Sequence, residues 1–145
     1  MEIKELGTVD QMLENIVVIQ ALYPDMTREK YSELLAKMLP NSYAQIAVFK
    51  NEKCIAISGF WLGTKLWCGD YLELDNVVVL DEYRSHGIGK LMSEYLEEKA
   101  KKLNCTILAL DAYTYNFGAH KFYYNQGYGP KGFHFVKILN KDGIN

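Results

Sequence analysis

The chain has 145 residues, about half of them hydrophobic, which is the size of one domain and enough apolar matter for a core without disulfides or metals. A net charge of -2 argues against a nucleic-acid or anionic-membrane partner, either of which calls for a basic surface. No signal-peptide pattern opens the sequence and no apolar run approaches the ~20 residues of a membrane span. Three cysteines in no Cys-x-x-Cys pairing (Cys54, Cys68 and Cys105) fit a reduced, cytoplasmic protein.

Ile3 to Leu6 reads as a short strand. Thr8 with Gln11 three residues on forms a capping box, and Val9, Met12, Leu13, Ile16 and Val17 recur at helical spacing, predicting one helix to about Leu22. Pro24-Asp25 breaks it. A second amphipathic helix spans Thr27 to Met38. The period then changes to two: Tyr43 to Lys50 and Cys54 to Leu62 form a hairpin across Asn51-Glu52-Lys53. Gly63-Thr64-Lys65 reads as a turn into a long strand, Leu66 to Leu80, whose end is apolar enough to be buried on both faces. Alternation puts Tyr71, Glu73 and Asp75 on one face of it, with Leu72, Leu74 and Asn76 on the other. Ile88 to Leu103 is a helix with Leu91, Met92, Tyr95, Leu96, Ala100 and Leu103 inward. Thr106 to Leu110 is a second buried strand, parallel to the first because a helix connects them. Asn116 caps a last helix that ends at Gly127, and Tyr128 to Leu139 supplies the final strand. The expected class is α/β with a mixed sheet, in a single domain over 1–145.

The loop between the long strand and its helix, Arg84-Ser85-His86-Gly87-Ile88-Gly89, has the chemistry of a phosphate nest. Gly87 and Gly89 permit close backbone approach, successive N–H groups converge at the positive end of the helix, and Arg84 or Lys90 adds charge. Two better-known phosphate loops fail here. A Walker A loop needs a glycine where Arg84 stands and Ser or Thr where Leu91 stands, and a dinucleotide fingerprint needs glycine at Met92.

The same six residues are similar to the Arg/Gln-x-x-Gly-x-Gly/Ala motif of the GNAT superfamily of N-acetyltransferases. Val79-Leu80-Asp81-Glu82-Tyr83 resembles the family's Val-x-Pro-Glu-Tyr with Asp81 in place of proline. The run from Asn116 to Tyr128 resembles its Asn-x-x-Ala-x-x-Phe-Tyr-x-x-x-Gly-Phe. The resemblance implies a GNAT-like acyltransferase fold that uses acetyl-CoA, with the pantetheine arm on the backbone of Val77, Val78 and Val79. It places the pyrophosphate on Arg84, Ser85, His86, Gly87, Ile88, Gly89 and Lys90, and gives Asn116 a further cofactor contact.

Amine acetylation has a protonation problem. A lysine-like amine, pKa ~10.4, leaves about one molecule in 10³ neutral at pH 7, and the reaction also builds an oxyanion and expels a thiolate. A base, an oxyanion donor and an acid are the parts required. Tyr123 is the acid that the resemblance implies, with Tyr124 a neighbour of the same type; Glu73 is the base acting through water, with Asp75 the alternative; a backbone N–H near Val79 is the oxyanion donor. The three histidines have no carboxylate or cysteine at ligand spacing, so no metal site is expected. Trp61, Tyr71, Asp75 and Tyr113 are candidate acceptor contacts, suited to a cationic amine on a small molecule or peptide. The resemblance leaves a homodimer open. The rival reading is a non-catalytic acyl-CoA-binding sensor or scaffold module; intact Glu73 and Tyr123 weigh toward catalysis.

Overall fold

The computed structural model describes residues 1–145. Two compact units divide it, Met1–Leu110 and Asp111–Asn145. The first carries one five-stranded sheet in the order β1 (Glu2–Leu6), β2 (Tyr43–Lys50), β3 (Lys53–Lys65), β4 (Gly69–Val79) and β5 (Ile107–Leu110). The first four strands pair antiparallel in sequence order, and β5 joins β4 in parallel. Helices α1 (Val9–Leu13), α2 (Ile16–Leu22), α3 (Arg28–Met38) and α4 (Ile88–Lys102) complete this unit.

Two clusters form its core. On one side of the sheet, Met12, Leu13, Val18, Ile19 and Leu35 of the first three helices pack with Tyr43, Ala47, Ile57 and Val78. On the other, Ile88, Met92, Leu96 and Ala100 of α4 pack with Ile46, Val48, Ile55, Phe60, Leu72 and Leu74. Strand alternation produces this partition, since each strand sends successive side chains to opposite faces. Of the predicted inner stripe on α4, Leu91 and Leu103 are instead among the exposed large hydrophobics.

The region predicted as one helix from Val9 to Leu22 is two. Asn15 interrupts it: its Nδ2 donates to the Gln11 carbonyl at 2.9 Å, in competition with the helical ladder. The break turns Val17 outward, to 67% exposure, where an unbroken helix places it inside. The capping box at Thr8 and the Thr27 cap of α3 form as read from the sequence.

The hairpin between β2 and β3 turns on Asn51 and Glu52, both at positive φ (49° and 66°), the mirror-image turn that matches strand twist. β3 does not stop at Leu62. It runs through Gly63 to Lys65, and the turn falls on Leu66 and Trp67 instead, both exposed. Gly63 belongs to the strand because the Tyr71 ring lies over it, occupying the space a Cβ would need.

The second unit contains α5 (Phe117–Asn125), capped by Asn116, whose Oδ1 accepts from Ala119 N at 3.1 Å. Gly127 sits at φ +91°; its N–H donates to the Tyr124 carbonyl and that of Tyr128 to the Tyr123 carbonyl, the pair of hydrogen bonds of a Schellman end. The expected strand over Tyr128 to Leu139 is absent. Those residues make no ladder, and a strand exists only through its partner; Phe133 and Phe135 are exposed.

Candidate active site

β4 carries most of the candidate residues, and a bulge in it decides where they point. Ile57 pairs with Val78 and Gly59 with Asp75, so Ser58 alone faces both Asn76 and Val77. Asn76 takes φ +55°, a left-handed angle that asparagine tolerates better than most residues. Leu72 and Leu74 before the bulge, and Val77 and Val79 after it, all pack toward α4. Val78 packs toward the first three helices.

Asn76 therefore does not share the face of Leu74, as strict alternation predicts. The extra residue resets the phase, and its side chain meets Tyr43 and Tyr23 of the opposite cluster: Tyr43 Oη donates to Asn76 Oδ1 at 2.9 Å, and Asn76 Nδ2 donates to Tyr23 Oη at 3.1 Å. Nor is the end of the strand buried throughout. Val78 is buried, while Val77, Val79 and Leu80 are half-buried.

Tyr71, Glu73 and Asp75 stand at alternate positions of β4, and Trp61 of β3 is the direct cross-strand partner of Glu73. Trp61 Nε1 donates to Asp75 Oδ2 at 2.9 Å, and the backbone N–H of Asn76 donates to Asp75 Oδ1 at 2.8 Å. The Lys65 ammonium stands 5.1 Å from the centre of the Tyr71 ring. Two carboxylates and two aromatic rings are thus gathered on neighbouring strands.

The pairing of β4 with β5 covers Tyr71 to Leu74 only, whereas its pairing with β3 continues to Val79. From Asp75 onward the β5 side of the strand has no further ladder, and its backbone groups must find partners elsewhere. Among them, the Val79 carbonyl accepts from Arg84 Nε at 3.4 Å. A ligand with amide groups of its own suits such an edge.

Past the edge come a short 3-10 turn, Asp81–Tyr83, and the glycine loop. Ser85 and Gly87 are both at positive φ (63° and 78°), and Gly87 is the N-cap of α4 with no side chain serving as cap. The first N–H groups of a 15-residue helix are left for something other than the protein's own side chains. A Cβ at Gly87 would meet nothing within 4 Å, so the glycine is there for its backbone angle. Ser85, His86, Gly87 and Lys90 are exposed, Gly89 is half-buried, and Ile88 is buried and anchors the loop in the core. The loop's cations have partners: Arg84 Nη2 lies 3.0 Å from Asp81 Oδ1, and Lys90 Nζ lies 3.7 Å from Glu94 Oε1. Asp81, where the family motif has proline, thus pairs with the motif's arginine.

In the second unit, Tyr123 of α5 packs edge-on against Phe122 and Tyr128, with centroids 5.1 and 5.5 Å away. Burial pushes its phenol up to about 12. Tyr124 beside it is exposed. Tyr113 stacks on Tyr115 at 5.3 Å, and its carbonyl meets the His120 ring at 2.8 Å. The cysteines carry no activating environment: Cys68 is buried, and burial raises the thiol of Cys54 to about 11 and that of Cys105 upward.

Sequence pattern did not single out Tyr43, Gln45, Gly59 or Asn76, which together form the buried polar surroundings of Asp75. One signal was available. In Tyr43-Ala44-Gln45-Ile46-Ala47 the glutamine falls on the inward face with Tyr43 and Ala47, and a buried amide needs partners.

Known proteins resemble the chain over nearly its whole length. Aminoalkylphosphonate N-acetyltransferase of Salmonella typhimurium is 27% identical over 143 residues, covering 95% of this chain and 91% of that one. The uncharacterized N-acetyltransferase YhdJ of Bacillus subtilis is 25% identical over 121 residues, 83% of this chain and 85% of its own. An aminoglycoside N-acetyltransferase solved with CoA matches the fold with a TM-score of 0.80 at 15% identity, over 96% of this chain and 95% of that one. The profile of the Acetyltransferase (GNAT) family matches residues 11–128, most of the length, and the chain belongs to that family.

Proposed function

We propose that this enzyme transfers the acetyl group of acetyl-CoA to a primary amine by direct attack in a ternary complex, in one domain over 1–145. The observation that carries the cofactor half is a β4 edge that β5 leaves without a ladder beyond Leu74, at Val77, Val78 and Val79, followed by a start of α4 at Gly87 that no side chain caps. The edge suits the amides of pantetheine, and the turn from Arg84 to Lys90 suits a pyrophosphate. Releasing Arg84 from Asp81 or Lys90 from Glu94 exchanges one exposed ion pair for another, a change of small cost. By the family resemblance Asn116, beyond its cap on α5, is a further cofactor-binding residue.

Acetyl-CoA supplies an activated acyl carbon and a sulfur leaving group. The chain's own residues handle the protons. Glu73 takes one from the ammonium form of the acceptor through a water, restoring the nucleophilic lone pair. A backbone N–H near Val79 faces the charge that develops on the acyl oxygen. Tyr123 donates a hydrogen bond to the departing sulfur. A phenol at about 12 is a weaker acid than a thiol of ~8.5, so complete proton transfer to sulfur is uphill. Tyr123 therefore stabilises the thiolate by its O–H, with full transfer drawn from solvent as the product leaves. Overall one ammonium and one thioester give one amide, one thiol and one released proton.

The acceptor is a small-molecule or peptide amine. Trp61, Tyr71 and Asp75 on the sheet supply aromatic faces and negative charge for a cation, and Tyr113 is a further candidate contact for the amine. The names of the relatives, aminoalkylphosphonate and aminoglycoside acetyltransferases, support a small-molecule amine. An amine-panel screen with thiol release as readout tests the reading. Turnover above the rate of acetyl-CoA hydrolysis, with mass of the product raised by one acetyl group, is the expected result. Tight CoA binding with no turnover across the panel would favour a sensor.

A further inference from the structure

Side chains from three strands meet around Asp75. Trp61 of β3 donates to one carboxylate oxygen and the Asn76 backbone to the other, at 2.9 and 2.8 Å. The Asn76 side chain accepts from Tyr43 of β2, and the Tyr43 ring lies 4.8 Å from that of Trp61. The four residues close a circuit. Gln45, fully buried, sits beneath it and donates to the hydroxyls of Tyr43 at 3.1 Å and of Tyr31, on α3, at 2.8 Å. Accepting from Gln45 leaves Tyr43 its own proton to give to Asn76.

Gly59 makes the circuit possible. A Cβ there would stand 2.8 Å from the Asp75 carbonyl oxygen and collide with the Tyr43 hydroxyl, which crosses β3 at this point to reach β4. The circuit grips Asn76, the one non-glycine residue of β4 that is left-handed, and that residue resets the strand's phase. Before it stand Glu73 and Asp75; after it comes the backbone edge of Val77 to Val79.

We infer that Tyr43 and Asn76 are positioning residues for acetyl transfer: their hydrogen bond locks the bulge that keeps Glu73 and the Val77–Val79 edge in one fixed relation. Asp75 is committed to the same circuit, both oxygens already accepting an N–H, and serves there rather than as the base. This rests on the proposed role of Glu73.

Two variants test the lock. Tyr43→Phe keeps the ring against Trp61 and removes the bond; Asn76→Gly keeps the left-handed angle and removes the side chain. Each is expected to lower kcat at least tenfold per folded molecule, measured well below its melting temperature. The double variant is expected to be within about threefold of the worse single, because both remove one shared bond. A purely structural role lowers the melting temperature and leaves kcat within twofold, and that result overturns the inference. Asp75→Asn should keep the early flattening of the parent's pH–rate profile that Glu73→Gln loses; its loss in Asp75→Asn would return the base role to Asp75. Amide exchange over Asn76 to Val79 in the protein alone should accelerate in Tyr43→Phe, and unchanged exchange also overturns the lock. If the parent acetylates no amine, the proposed function fails while the exchange measurement still decides the lock.

Discussion

A phenol at about 12 stays protonated throughout the range in which an amine becomes a nucleophile, which is the property a hydrogen-bond donor to sulfur needs. Tyr123→Phe is therefore expected to lower kcat by about 10²-fold, the lower end of what one acid-base group contributes, while calorimetry finds acetyl-CoA affinity within threefold of the parent. In the parent, no fall in rate from ionisation of this hydroxyl is expected between pH 8 and 11. Glu73→Gln behaves differently. Without a base, kcat/KM for a lysine-like amine should climb about tenfold per pH unit toward the amine's own pKa of ~10.4, where the parent profile flattens earlier. At Gly87 the structure sharpens the expectation. Space around a Cβ is open but φ is +78°, so Gly87→Trp costs about 1–2 kcal/mol of folding stability through its backbone angle. CoA binding should suffer far more, because the bulk is added at the N-cap of α4 beside the first N–H groups of the helix, and retained affinity would sink the cofactor assignment.

Elements were legible in the sequence where a local rule and the tertiary structure agree. The caps at Thr8, Thr27 and Asn116 and the glycine end of α5 are short-range hydrogen bonds that four or five residues specify among themselves. Boundaries were misread where one polar side chain or one packed ring overrides the pattern. Asn15 splits the first helix by bonding Gln11, and Tyr71 keeps Gly63 inside β3 by lying across it. The Asn51-Glu52 turn offers a test at this scale. Glu52 holds φ +66°, which a β-carbon makes costly, so Glu52→Gly should stabilise by about 0.5–1 kcal/mol. Thermal unfolding should show a rise of about 2–4 °C. Gly59→Ala should do the reverse by several degrees, since its Cβ has backbone on one side and a buried tyrosine on the other.

Across the molecule, burial of titratable hydroxyls sets an alkaline limit. Desolvation raises the phenols of Tyr43 and Tyr31 above their ordinary value of 10. Above that value the unfolded chain sheds protons that the folded chain retains, so stability is fully present below pH 10 and falls as pH rises beyond it. Urea unfolding at pH 8, 9, 10 and 11 should show a level plateau and then a loss of roughly 1–3 kcal/mol over the last unit. The acid side has a smaller counterpart. The Lys99 hydrogen bond lowers Glu5, tying β1 to α4, and its contribution is lost as pH falls through the carboxylate range. Its half-exposed position limits that to under about 1 kcal/mol.

The sequence by itself determined the family, the parallel crossover into β5 and the glycine loop before its helix, because each depends on residues close together in the chain. Glycines before a helix, an asparagine cap and a two-residue period are visible without knowing what packs on them. Tertiary structure alone decided the phase of β4. Whether Asn76 faces α4 or the first helices depends on a bulge held by Tyr43, 33 residues away, through the gap left at Gly59. No window along the chain contains that bond, so alternation assigned the wrong face to the residue on which the candidate site turns.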